Sequence, residues 1–142
     1  MQPMTSPILQ PVVVLVLWTF VMWAWLYATR IPVIRGKKAA LAPTLTREEF
    51  QSFIPAAVRW KADNYNHLME QPTLFYAVCT VIALSGTGSG PNAAIAWAYV
   101  GLRIAHSLVQ ATVNRVLPRF MLFLASTLAL VALTLHAALA VF

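Results

Sequence analysis

The sequence predicts an all-α integral membrane protein, folded as a bundle of four transmembrane helices. Its composition is 60% hydrophobic and only 10% charged, whereas a soluble domain carries roughly 25% charged residues. Four long apolar stretches alternate with short polar or basic segments. The first stretch, from about Ile8 to Ala28, has the roughly 20 residues that cross a hydrocarbon core of roughly 30 Å. A chain of 142 residues leaves room for one small bundle, so residues 1–142 are expected to form a single domain.

Each apolar stretch is assigned to one helix. The helices are expected over about residues 8–28, 57–84, 93–113 and 119–141. Pro72 should bend or loosen the second helix, because proline removes one backbone hydrogen bond. Pro118 suits the start of the fourth helix. Thr46 and the acidic residues that follow it suit the start of a short helix in the loop after the first span.

The distribution of positive charge predicts the orientation. No charged residue precedes Ile8, whereas Arg30, Arg35, Lys37 and Lys38 follow the first apolar stretch. The positive-inside rule therefore places this loop in the cytoplasm. With four spans, both termini lie outside, and the basic turn between the third and fourth helices also faces the cytoplasm. The short loops and lean termini favour a bacterial inner membrane.

Two other classes of function are excluded or disfavoured. The net charge of +6 could indicate nucleic-acid binding, but the basic residues follow apolar stretches as membrane topology requires. No nucleic-acid partner is therefore expected. The three histidines, His67, His106 and His136, fall on different predicted helices, and no metal site is expected. Cys79 lies within an apolar stretch and is interpreted as a packing residue.

The third helix carries a polar stripe, formed by Arg103, His106, Gln110 and Asn114 within about 80° of its surface. A charged side chain at bilayer depth costs about 2.5 kcal/mol or more, so such residues are functional candidates. Glu70 in the second helix lies at a similar depth to Arg103, at 1.5 Å rise per residue. We therefore expect a buried Glu70–Arg103 ion pair, which either serves the function or only fixes helix register.

Cations and amides gather near the cytoplasmic edge of the bundle, and two interpretations of them remain open. Guanidinium groups could hold a small, multiply charged anion or stabilise a thiolate. Alternatively, the cluster reflects only membrane topology and anionic headgroups. The residues concerned are Arg30, Arg35, Arg59, Lys61, Asn64, Asn66, Gln110, Asn114, Arg115 and Arg119.

The motif R-I-A-H-S at residues 103–107, followed by Arg119 at the start of the fourth helix, resembles the MAPEG family. These are membrane-associated proteins of eicosanoid and glutathione metabolism, including microsomal glutathione transferases. The polar half of the second helix, with Asn66, His67, Glu70 and Pro72, is similar to the Asn/Glu motif of that family. R-G-K-K-A-A-L-A-P at residues 35–43 is a weaker match. The resemblance covers the whole chain.

The resemblance implies a homotrimer that binds glutathione between protomers near the cytoplasmic face. A lipophilic second substrate would arrive from the lipid bilayer, and the reaction would be that of a glutathione transferase or peroxidase. Arg119 would be the catalytic residue, stabilising the glutathione thiolate. The residues expected to bind glutathione or support its site are Arg59, Asn66, His67, Glu70, Arg103, His106, Gln110 and Arg115.

Three positions depart from the family pattern. His67 stands where the family often has asparagine, Phe123 replaces a tyrosine, and Gln110 replaces a tyrosine or similar group. Some hydroxyl contacts to glutathione are therefore absent. The alternative is a non-catalytic member of the family that binds lipid or a partner protein.

Overall fold

The computed structural model describes residues 5–37 and 42–142, and these form α-helices connected by short turns. Lys38 of the predicted cytoplasmic loop, with the middle of the weaker motif, lies outside the described residues. No strand occurs in the described part of the chain, as the predicted all-α class requires. The helices are α1 (Leu9–Gly36), α2 (Arg47–Ser52), α3 (Ala56–Leu68), α4 (Gln71–Leu84), α5 (Pro91–Thr112) and α6 (Val116–Val141).

Two of these helices, α1 and α6, are long and apolar enough to cross a membrane. Their outward surfaces remain uncovered: Phe20 on α1 is 63% exposed and Leu128 on α6 is 62% exposed. Apolar surface on this scale would be unfavourable in water and suits contact with lipid. The fold therefore supports the predicted membrane association.

The first helix is longer than predicted and ends at Gly36 instead of near residue 28. Arg30 and Arg35 end the apolar stretch, but a basic residue does not end a helix. Arg35 lies in the last turn, where a positive charge interacts favourably with the helix dipole. Pro32 lies inside the helix and removes only one backbone hydrogen bond.

The predicted second helix is interrupted between α3 and α4. The interruption is centred on Glu70, whose backbone is not helical, with φ −89° and ψ −94°. Pro72 is in the first turn of α4, where its missing N–H has no intrahelical partner to lose. The bend expected at Pro72 is thus a break, and it separates the polar first half from the apolar second half.

The short helix α2 begins as predicted. Thr46 Oγ1 accepts a hydrogen bond from Glu49 N at 3.2 Å, and Glu49 Oε2 accepts one from Thr46 N at 2.8 Å. This reciprocal pair is a capping box. The hydrogen bonds from the Thr46 backbone and hydroxyl lower the pKa of Glu49, so the cap weakens as pH falls and the carboxylate is protonated.

Helix α5 is the central helix of the bundle and packs against α1, α3 and α6. In the core, the rings of Phe75 and Tyr99 stack with centroids 4.3 Å apart. Cys79 is fully buried in the same core, in agreement with its predicted packing role. At the opposite end from α2, Ile8 N donates to Gly88 O at 2.9 Å. This bond joins the start of α1 to the turn between α4 and α5.

Candidate functional site

The polar stripe of α5 faces the interior of the protein. Arg103 is 0% exposed, His106 3% and Gln110 4%, and Asn114 is half-buried just beyond the end of the helix. Helical spacing alone places these four residues on one face. Packing of α1, α3 and α6 against α5 turns that face away from lipid. The stripe therefore lines the inside of the bundle, as the sequence predicts.

The predicted ion pair between Glu70 and Arg103 is not formed. Arg103 Nη2 donates instead to the backbone carbonyl of His67 at 3.2 Å. Glu70 Oε2 pairs with His67 Nδ1 at 3.1 Å, and the Glu70 side chain is 69% exposed. The prediction was wrong because it assumed one continuous helix, whereas the break at Glu70 changes the direction of that side chain.

The same break explains what Arg103 does. His67 lies in the last turn of α3, and the final carbonyls of a helix lack intrahelical donors and carry partial negative charge. The guanidinium of Arg103 therefore finds its acceptor at this helix end. Its Nε and Nη1 have no hydrogen-bond partner among the described residues. Two buried nitrogen atoms of Arg103 thus stay unpaired within the described chain.

Two histidine rings and a phenylalanine ring form a cluster between α3, α5 and α6. The centroids of His67 and His106 are 4.9 Å apart. Phe123 lies 5.5 Å from His67 and 6.4 Å from His106, and the Arg103 guanidinium lies 5.9 Å from its centroid. The sequence placed these residues on separate helices, and the fold brings them together.

An open groove with a volume of about 260 Å³ lies beside this cluster. It combines two histidines and one arginine with apolar side chains of α6. This composition suits a ligand with one anionic group and one apolar region. The lining residues are His67, His106, Val116, Arg119, Phe120 and Phe123.

Arg119 is fixed in this groove by Asn114. Its Nη1 donates to Asn114 Oδ1 at 2.5 Å, while its Nε has no partner in the described chain. Asn114 has φ +49°, a left-handed conformation that asparagine adopts more readily than most residues. The turn between α5 and α6 thus presents an amide oxygen to the guanidinium of Arg119, which lines the groove.

Several predicted site residues lie away from this groove. Arg59 Nη1 donates to the carbonyl oxygens of Gln51 and Ile54 at 3.1 and 2.8 Å, so it holds the α2 segment. Asn66 and Arg115 are exposed and line no part of the groove. Gln110 is buried deeper, and its Oε1 has no partner among the described residues.

Lys61, another member of the basic cluster, also bonds to the backbone of the protein itself. Its Nζ donates to the carbonyl oxygen of Ala57 at 2.9 Å and to that of Ala111 at 3.4 Å. The ammonium also lies 4.9 Å from the Trp25 ring centroid, a favourable cation–π distance. Lys61 therefore ties α3 to the end of α5 and to α1. Within the basic cluster, Arg59 and Lys61 therefore hold the fold, whereas Arg119 lines the groove.

Sequence reasoning missed the role of Asn114 and the lining residues Val116 and Phe120. Asparagine one or two residues after a helix end is a recognisable sign of a left-handed turn, so Asn114 could have been identified. Val116 and Phe120 are apolar, like most residues of a lipid-facing helix. The sequence alone therefore does not distinguish them as groove residues.

The groove can stabilise an anion and exchange a proton. A guanidinium beside a thiol favours the thiolate, and a neutral imidazole ring can accept a proton through its free nitrogen. Within the described residues, no group of three histidine, cysteine or acidic side chains could hold a metal ion. The arrangement suits an anionic group that lies beside an apolar surface.

Comparison with known proteins gives one match. The family model described as the MAPEG family matches residues 8–139. No curated protein and no solved structure is significantly similar to the chain. The match covers nearly the whole chain, including α5 with its polar stripe, the α5–α6 turn and Arg119. Together with the apolar helices α1 and α6, it shows that the chain is a membrane-associated member of the MAPEG family.

Proposed function

We propose that this protein binds glutathione in the groove beside Arg119 and transfers it to lipophilic electrophiles, or uses it to reduce them. The single observation that carries the proposal is the placement of Arg119. Its guanidinium is anchored by Asn114 Oδ1, keeps its Nε without a partner in the described chain and lines a groove with an apolar wall.

The chemistry requires a thiolate, because the thiol is a far weaker nucleophile. In a transfer to an aryl chloride, the thiolate attacks the carbon that bears chlorine. The carbon–sulfur bond forms, and chloride leaves with the electron pair of the carbon–chlorine bond. Arg119 stabilises the anion before the attack, and the apolar side chains of Val116 and Phe120 hold the electrophile.

The site is proposed to be completed by a second copy of the chain, in a homotrimer. Asp63, Asn66 and Glu70 are exposed on neighbouring parts of α3 and the break that follows it. Ionisable residues at membrane depth are strongly disfavoured against lipid, so a protein surface is the more favourable neighbour. Glutathione would then lie between protomers, with Glu70 and Asn66 contributing from this exposed surface.

The proposed topology has four spans, with α3 and α4 acting together as the second and α5 as the third. The Lys61 ammonium contacts both Trp25 of α1 and the carbonyl oxygen of Ala111 near the end of α5, so the C-terminal halves of α1 and α5 lie toward the same end of the molecule. This end faces the cytoplasm, by the positive-inside rule. Both termini would lie on the other side, in a bacterial inner membrane.

The direct test is calorimetric titration of glutathione into purified protein, combined with product analysis after addition of a nitroaryl chloride. We expect saturable binding and the glutathione–aryl adduct. Arg119→Ala should abolish adduct formation without altering the helical signal or the oligomeric state. Absence of both binding and adduct in the wild-type protein would refute the proposed function.

A second function is favoured by Phe123 and Gln110, which replace hydroxyl-bearing side chains of the family. On this alternative, the groove holds the acyl chain and headgroup of a lipid and catalyses nothing. Val116 and Phe120, which are 77% and 56% exposed, would contact the acyl chain. Native mass spectrometry distinguishes the two, since the alternative predicts a retained phospholipid that glutathione does not displace.

A further inference from the structure

His67 and Glu70 form a hydrogen-bonded pair, with Nδ1 and Oε2 3.1 Å apart. An ionised carboxylate can only accept a hydrogen bond, so Nδ1 carries the hydrogen and the neutral ring has its lone pair on Nε2. Within residues 5–37 and 42–142, Nε2 makes no hydrogen bond. The side chain is 23% exposed. His67 therefore offers an oriented and accessible base.

This base lines the same groove as Arg119. The ring of His106 lies beside it, with centroids 4.9 Å apart, and Phe123 packs against both. A thiol bound at the guanidinium of Arg119 would lie next to the imidazole. The groove thus holds both an acceptor for the thiol proton and a cation for the resulting thiolate.

We propose that His67 is the general base that removes the thiol proton of glutathione, and that Glu70 is the positioning residue that fixes its tautomer. This inference rests on the proposed function and assigns a catalytic role within it. The sulfur–hydrogen bond breaks, the proton moves to Nε2, and the electron pair stays on sulfur beside Arg119. After the carbon–sulfur bond forms, the imidazolium returns its proton to water.

The geometry favours His67 over His106 for this role. His106 is 3% exposed, and no carboxylate contacts its ring in the described chain. His67 has both solvent access and a carboxylate that compensates the positive charge acquired on protonation. The charged and titratable groups that face His67 are Glu70, His106, Arg103 and Arg119.

The experiment is a stopped-flow measurement of thiolate formation, by ultraviolet absorbance, when glutathione is mixed with the full-length protein over a range of pH. His67→Gln keeps a polar side chain of similar size but cannot accept the proton. Glu70→Gln keeps the hydrogen-bond acceptor and removes the charge. The matched control is His136→Gln, the same substitution at the other end of the molecule, where Nδ1 contacts Asn92 Oδ1.

In His67→Gln we expect thiolate formation to slow about 100-fold or more below the thiol's ordinary pKa of about 8.5. Glutathione affinity should stay close to that of the wild type. The difference should vanish above that pH, because glutathione is then already a thiolate in solution. Thiolate formation in Glu70→Gln should be slowed less, and its rate should also reach that of the wild type at high pH. The rate in His136→Gln should match the wild type at every pH.

An unchanged rate and pH profile in His67→Gln overturns the proposal, and an unchanged rate in Glu70→Gln overturns the role of that carboxylate. A loss that persists at alkaline pH also contradicts it, because such a loss reports a damaged site. If the wild-type protein binds no glutathione, the proposed function itself fails. If the wild type forms thiolate and His67→Gln does so equally fast, only the base assignment fails.

Discussion

Arg103 Nη2 donates to the backbone carbonyl of His67 at 3.2 Å, so the buried charge of α5 is held by the end of a helix and not by a carboxylate. The break that frees this carbonyl also directs Glu70 to the ring of His67. The interruption of the helical backbone thereby gives Arg103 and Glu70 separate partners. On a continuous helix, the predicted Glu70–Arg103 ion pair would be expected instead.

This relationship predicts weak energetic coupling between Glu70 and Arg103. In a double-mutant cycle of Glu70→Gln and Arg103→Met, the coupling free energy should be below about 0.5 kcal/mol. Arg103→Met alone should destabilise by about 1.5–3 kcal/mol, through loss of a charge-assisted hydrogen bond. Chemical unfolding in detergent measures both values. A coupling of about 3 kcal/mol or more would show that the two side chains form a buried ion pair.

Asn114 has two separable roles. Its side chain positions Arg119, and its left-handed backbone forms the turn between α5 and α6. Asn114→Gly keeps the left-handed conformation and removes the amide oxygen, so glutathione affinity should fall about tenfold, or about 1.4 kcal/mol, with little loss of stability. Asn114→Ala should lose the same affinity and also about 1 kcal/mol of stability, because alanine is strained at φ +49°. Calorimetric titration and unfolding curves separate the two effects. Wild-type affinity in Asn114→Gly would show that Arg119 does not depend on this contact.

Gly88 should tolerate no side chain. A Cβ at this position would overlap Ser6 Oγ and would lie 2.8 Å from Ile8 Cγ2. Gly88→Ala should therefore displace the segment before α1 and destabilise by about 1–3 kcal/mol. Gly101→Ala is the matched control, since nothing lies within 4 Å of its Cβ position and alanine stabilises a helix by about 0.5–1 kcal/mol over glycine. Thermal unfolding should move in opposite directions for the two variants, and equal shifts would contradict the packing described here.

The sequence predicted those features that depend on a short stretch of chain. The capping residues Thr46 and Glu49 act within four positions of each other, and the inward face of Arg103, His106 and Gln110 follows from helical periodicity. The apolar stretches likewise indicate the helices α1 and α6, but α1 continues past the first basic residue to Gly36.

The features that the sequence did not predict depend on how each helix is rotated about its axis and on the relative depth of neighbouring helices in the bundle. Helical periodicity predicts the direction of the Glu70 side chain only if the helix is continuous. The break of two residues between α3 and α4 therefore turns this side chain to another direction. The approach of His67 to His106 requires the relative depth of α3 and α5, which no local pattern contains. The Asn114–Arg119 contact depends on a single backbone conformation in the turn between α5 and α6.

The central claim is that the groove beside Arg119 holds glutathione as a thiolate. Equilibrium titration of glutathione into the wild-type protein, followed by ultraviolet absorbance at neutral pH, measures the thiolate directly. Arg119→Lys provides the comparison, because lysine retains the charge but lacks the planar guanidinium that Asn114 orients. We expect a saturable thiolate signal in the wild type, a reduced signal in Arg119→Lys and no signal in Arg119→Ala. A signal of wild-type size in Arg119→Ala, or no signal in the wild type, would contradict it.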